Sequence, residues 1–131
     1  MPGRDPSHWL HRLDAAEWLR AAAAELLRAE EALAKKQQRP GVAQARRAAG
    51  MAWNAVLVGA EDDAYGRSYM EHLHALARDE RVPEPVRAAA GQLVAAPLST
   101  NVIPLGRGDT RHADAARVVL DEARRRVVSA S

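Results

Sequence analysis

The sequence predicts an all-α fold: an antiparallel up-and-down four-helix bundle with an additional fifth helix at the C-terminal end. Three observations predict it. Apolar residues recur at spacings of three and four along most of the 131 residues, the pattern of helices with one buried face. No stretch alternates apolar and polar residues as a strand would. Gln44 to Leu57 is built mostly from small residues, with Ala45, Ala48, Ala49, Ala52 and Ala55 at helical spacing. Such a helix lets its neighbours approach closely and belongs at the centre of a bundle.

The first helix is expected from near His8, capped within Asp5-Pro6-Ser7, to about Lys36. Its apolar stripe reads Trp9, Leu13, Ala16, Leu19, Ala23, Leu26 and Leu33, with Leu10 and Leu27 beside it. Lys35 and Lys36 oppose the negative C-terminal dipole, and Gln37-Gln38-Arg39-Pro40-Gly41 is read as the break. The alanine-rich second helix then spans about Val42 to Val58. Asp62 or Asp63 caps a third helix over roughly Ala64 to Ala77, with Tyr69, Leu73 and Leu76 inward and Gly66 a weak point in its first turn. A turn ending in Pro83-Glu84-Pro85 starts a fourth helix carrying Val86, Ala89, Ala90, Leu93 and Val94 to about Ala96. Pro97 to Gly108 is read as an ordered loop whose Val102, Ile103 and Leu105 form a lid. Asp109 or Thr110 caps the last helix, about 110–128, with Ala116, Leu120, Ala123 and Val127 inward.

Composition bounds the function. One domain over 1–131 is expected, with a bundle core at about 8–96. Without cysteine, disulfides and thiolate metal sites are excluded. The N-terminus lacks the apolar run of a signal peptide, and no apolar stretch is long enough for a bilayer, so a soluble cytoplasmic protein without membrane contact is expected. The net charge is +2, and all but two of the nineteen basic residues are arginine. Acidic residues interleave with them, so no basic arm forms; RNA binding is permitted rather than indicated.

Several residues bear on chemistry. Arg46, Arg47 and Asn54 give the second helix a polar side, although neighbouring helical residues such as the two arginines point apart. His8, His11 and Asp14 lie three apart, and Glu71-x-x-His74 resembles half of a carboxylate-bridged diiron site. That site needs carboxylates from all four helices, and the second helix offers none, so no metal or cofactor is expected. Trp18 lies off the main stripe and is the candidate for a second contact surface, hence a homodimer.

Ala45-Arg46-Arg47-Ala48-Ala49-Gly50-Met51-Ala52-Trp53-Asn54-Ala55-Val56-Leu57, followed by Tyr69-Met70-Glu71-His72-Leu73-His74-Ala75-Leu76 and by Pro83 to Leu93, resembles the HEPN domain over roughly residues 8 to 96. The first segment looks like its alanine-rich second helix and the next like its His-x-Leu-x-x-Leu segment. The resemblance implies a small helical bundle. It also implies one of two roles. Many HEPN proteins are metal-independent ribonucleases with an Arg-x4–6-His motif completed across a homodimer, some in toxin–antitoxin pairs. Others are inactive partners of nucleotidyltransferases or binding domains.

Arg67 with His72 satisfies that motif, as do Arg67 with His74, Arg107 with His112 and Arg4 with His11. In a chain so rich in arginine the motif alone discriminates little. On a regular helix, residues five apart diverge by about 140° while residues seven apart realign. Arg67, Glu71 and His74 would then share a face and Glu71 would pair with Arg67. A histidine moving the 2′-hydroxyl proton and an arginine steadying the phosphorane would suffice for cleavage. Against this, a solvated Arg67–Glu71 pair with packing histidines is the plainer reading. The expectation is therefore a non-enzymatic HEPN-like interaction domain, dimeric and open to a protein partner. Its binding side would include Arg46, Arg47, Asn54, Tyr69 and Glu71, and the alternative is a ribonuclease using Arg67 with His72 or His74.

Overall fold

A computed structural model describes residues 9–95 and 110–130. The regular structure among them is entirely helical: a 3-10 turn at Trp9–Arg12, α1 (Ala15–Ala34), α2 (Gln38–Gly59), a 3-10 turn at Asp63–Tyr65, α3 (Tyr69–Arg78), α4 (Glu84–Ala95) and α5 (Arg111–Ala130). No described helix is long and apolar enough to cross a membrane.

α2 is the axis of the bundle. It packs against each of the other four helices, and its buried residues encircle it: Val42, Ala45, Ala49, Ala52, Trp53 and Asn54 among them. An alanine surface makes this possible, because each missing side chain brings a neighbouring backbone nearer. The closest approach is at Gly50. A Cβ built there would stand 2.4 Å from the Tyr69 Cβ, so α3 begins where only glycine admits it. α5 packs on α1, α2 and α4 and buries His112, Ala113, Ala116, Val119, Leu120 and Ala123.

The element boundaries follow from caps. Helix one does not begin near His8: the 3-10 turn comes first, and α1 starts only after Asp14. There Asp14 Oδ1 accepts from the Glu17 amide at 2.8 Å while Glu17 Oε1 accepts from the Asp14 amide at 2.9 Å, a reciprocal capping box. The break shortens and turns the helix, so its buried stripe is Trp18, Ala22, Leu26, Ala29 and Leu33, while Ala16 is exposed and Leu27 is 56% exposed. Helix two starts at Gln38 rather than Val42. Pro40 falls in the first turn, where its missing N–H has no intrahelical role.

Helix three does not start at Ala64. Asp62 Oδ1 accepts from the Ala64 amide at 3.0 Å and caps the 3-10 turn. Gly66 then takes φ +67° and ψ −157°, a conformation that other residues rarely reach. Ser68 recaps the chain: its Oγ accepts from the Glu71 amide and Glu71 Oε1 accepts from the Ser68 amide, both at 3.1 Å. The stripe residues Leu73, Leu76, Val86, Ala89, Ala90 and Leu93 are buried as their spacing predicts. The cap in Asp5-Pro6-Ser7, the Trp9 side chain, the Pro97 to Gly108 lid and Asp109 lie outside the described residues.

α1 and α2 are joined by Lys35–Gln37. The Gln37 amide donates to the Ala32 carbonyl at 2.8 Å and the Lys36 amide to Leu33 at 3.0 Å, the two bonds of a Schellman turn. The left-handed position that glycine usually occupies here is taken by Lys36, at φ +61°. Replacing Lys36 with glycine removes the Cβ clash of that conformation. Lys36→Gly is expected to raise the stability to urea unfolding by about 1 kcal/mol, without changing the dependence on urea concentration.

Candidate functional site

Of the Arg-x4-His pair, Arg67 is exposed and His72 is wholly buried. Residues 72 and 74 of one helix point about 200° apart, so a helix with one buried face can bury only one of them. α3 buries His72 completely and leaves His74 exposed. His72 Nδ1 lies 2.7 Å from the Tyr65 carbonyl and Nε2 lies 2.7 Å from Asn54 Oδ1. A carbonyl only accepts, so Nδ1 carries the ring proton. Nε2 of the neutral ring then accepts, and the Asn54 amide, whose two ends exchange by a half-turn, supplies the donor. Burial pushes the imidazole below its ordinary value, opposed by the Tyr65 carbonyl and the Glu71 charge. His72 is thus a neutral core residue that locks α3 onto α2.

Arg67 lies before the Ser68 cap, outside α3, so the shared face of Arg67, Glu71 and His74 does not form. Glu71 serves the cap instead, and the Ser68 and Arg67 amides hold its carboxyl below the usual value. Exposed Arg67 borders a hollow of about 420 Å³ together with Glu61, Asp62 and Asp63. Carboxylates outnumber the one arginine in that lining, although Asp62 is also paired with Arg81.

The other predicted binding residues are ties within the bundle. Arg46 Nε donates to the Leu93 carbonyl at 2.8 Å and its Nη2 to Val94 at 3.3 Å, holding the open carbonyls at the end of α4. Arg47 turns the other way and, with Arg28, neutralises the buried Glu25 of α1. The two arginines diverge as adjacent helical residues must, and no shared anion site forms between them. Tyr69 is half-buried against Gly50. Trp18 is not a surface residue: it is buried and its Nε1 donates to the Leu10 carbonyl at 2.9 Å, fixing the first 3-10 turn to α1. His11 faces Glu61 at 3.3 Å and Asp14 is a cap, and the described residues contain no group of three histidines or carboxylates that could hold a metal ion.

Two features that sequence reasoning did not single out lie at the end of α2. The first is a clasp. The Tyr65 hydroxyl donates to Asp79 Oδ2 at 2.7 Å, and Arg81 grips both Asp79 oxygens at 2.9 Å and Asp62 at 3.1 Å. Arg81 holds the Asp79 carboxyl far below its usual range, while burial and the Asp79 bond raise the Tyr65 phenol. Both are driven away from neutral pH, so they do not form a proton-transfer pair there. Arg126 lies 5.4 Å above the Trp53 ring and donates to the Arg81 carbonyl, closing the clasp onto α5.

The second is an apolar groove of about 520 Å³ between the start of α1 and the ends of α2 and α5. Val56, Val58 and Val127 form its walls, and Arg125 and Arg126 its lip. No protein-family model, curated protein or solved structure matches this chain.

Two outcomes test His72 as a lock. Asn54→Ala leaves Nε2 buried without its partner and is expected to cost about 2 kcal/mol in urea unfolding. Between the ordinary imidazole value of 6.5 and the lower value in the fold, the unfolded chain binds a proton that the folded chain does not. Stability is therefore fully present above pH 6.5 and falls as the pH drops through that window. NMR titration should show the His72 ring still neutral just below pH 6.5, the ordinary imidazole value.

Proposed function

We propose that this chain is a non-enzymatic HEPN-like interaction domain that acts through protein contacts in the cytoplasm. The observation that carries it is His72. The histidine that best fits the family's catalytic pattern is enclosed in the core with both ring nitrogens engaged. A general base must reach the hydroxyl it deprotonates, and His72 has no open path to an RNA 2′-hydroxyl. Arg67, its intended partner, stands among carboxylates.

A homodimer belongs to the same reading, through a surface other than Trp18. Leu27 of α1 and Val118 of α5 are exposed apolar residues on the two helices that the Arg117–Glu30 ion pair joins, and they are the candidate contact. A nucleotidyltransferase is the kind of second partner that the resemblance implies.

Purified protein incubated with mixed RNA in chelator, beside an Arg67→Ala control, tests the proposal. Neither sample is expected to cleave. Cleavage by the parent chain that disappears in Arg67→Ala would replace the interaction domain with a metal-independent ribonuclease.

A further inference from the structure

We infer that the outer face of α1 is an antiparallel helix–helix seam between two copies of this chain, an inference that rests on the interaction-domain reading above and gives its homodimer a surface and a direction. Glu17, Arg20, Ala24, Leu27, Glu31 and Ala34 follow one another at spacings of three and four along α1, and every one of them is exposed. That is the spacing of a coiled-coil seam. It runs along the side of the helix opposite the buried Trp18, Ala22, Glu25, Ala29 and Leu33. At its middle stands Leu27, a large apolar side chain that is 56% exposed. The exposed Ala16, Ala24 and Ala34 around it admit a second helix at short distance.

The order of charges selects the occupant. Two copies of α1 related by a two-fold axis at the height of Glu25 and Leu26 run antiparallel. Leu27 of each copy then meets Ala24 of the other, and Arg20 of each meets Glu31 of the other. Asp14 and Glu17 at the start of one helix stand level with Lys35 and Lys36 at the end of the second. Among the described residues, neither Arg20 nor Glu31 has an ion-pair partner in its own chain, so both charges are open to the other copy. Beside the seam, Arg28 falls level with Ala21 and Glu30 with Ala23, so no like charges face each other. A parallel arrangement would set Arg20 against Arg20 and Glu31 against Glu31. The antiparallel one also opposes the two helix dipoles. A foreign helix would have to carry this same order of charges in reverse, whereas a second copy presents it already.

Sedimentation of the full chain over a range of concentrations tests the seam. The parent is expected to be a dimer that dissociates on dilution, and Leu27→Asp a monomer. Because Leu27 lies outside the core, that variant is expected to keep the helicity of the parent by circular dichroism. Arg20→Glu and Glu31→Arg each convert both ion pairs of the dimer into like-charge contacts, and each is expected to raise the dissociation constant about tenfold, an effect that shrinks in high salt. The double variant Arg20→Glu/Glu31→Arg remakes both pairs with the signs exchanged, and it is expected to dimerise as the parent does.

A parent that is monomeric at every concentration, a dimer untouched by Leu27→Asp, or a double variant no tighter than the two single ones would overturn the inference. A monomeric parent that binds a different protein would remove this seam and leave the interaction domain standing. Arg67-dependent RNA cleavage would instead remove the reading beneath and leave the sedimentation result unchanged.

Discussion

Everything in this bundle depends on how closely other helices can approach α2. Ala45, Ala49 and Ala52 are wholly buried, Ala48 and Ala55 nearly so, and α2 meets each remaining helix. Large side chains along that helix would hold its neighbours apart at ordinary interhelical distances, and a single helix could not then serve four close partners. Gly50 marks the limit, since even one methyl group there would collide with the first side chain of α3. The aromatic bulk is accordingly concentrated. Trp53 is buried in α2 with Tyr65 stacked on it at 6.1 Å, filling the space that the alanines leave at that end.

An alanine core binds its neighbours by dispersion over small areas, and polar ties supply part of the specificity. Each crosses between elements that the apolar stripes alone would allow to slide. Asn54 and His72 join α2 to α3, Arg46 joins α2 to the end of α4, and Glu25 with Arg47 joins α1 to α2. At the far end, Arg81, Asp79, Tyr65 and Arg126 join the α3–α4 turn to the 3-10 turn after α2 and to α5. Arginine suits this work because its fork grips carboxylates and free helix-end carbonyls alike. Among the described residues, much of the arginine is engaged within the fold in this way.

The buried faces of α3, α4 and α5 were legible because Leu73, Leu76, Val86, Leu93, Ala116 and Leu120 recur at helical spacing. The capping boxes were also written in the chain, as Asp14-x-x-Glu17 and Ser68-x-x-Glu71. Reading them would have placed the starts of α1 and α3 correctly and shown Glu71 as a cap rather than a partner of the Arg67 side chain. The candidate site was less legible. Arg67 and His72 are five positions apart in any reading, but Gly66 and Ser68 place a helix start between the arginine and the histidine. Nor does spacing say whether a histidine faces a substrate or an asparagine on the next helix.

By itself the sequence determined the helices, their small-residue axis and most of their buried faces, because these follow from periodicity and local capping within a few residues. Only the tertiary structure decided which polar residues work inside the protein. His72 and Trp18 found their partners in Asn54 and Leu10, and Arg46 found the end of α4, contacts between residues 8 to 48 positions apart. The groove beside Arg125 likewise exists only where the ends of three helices meet. Such pairings depend on where helices stop and cross, and no local pattern encodes that.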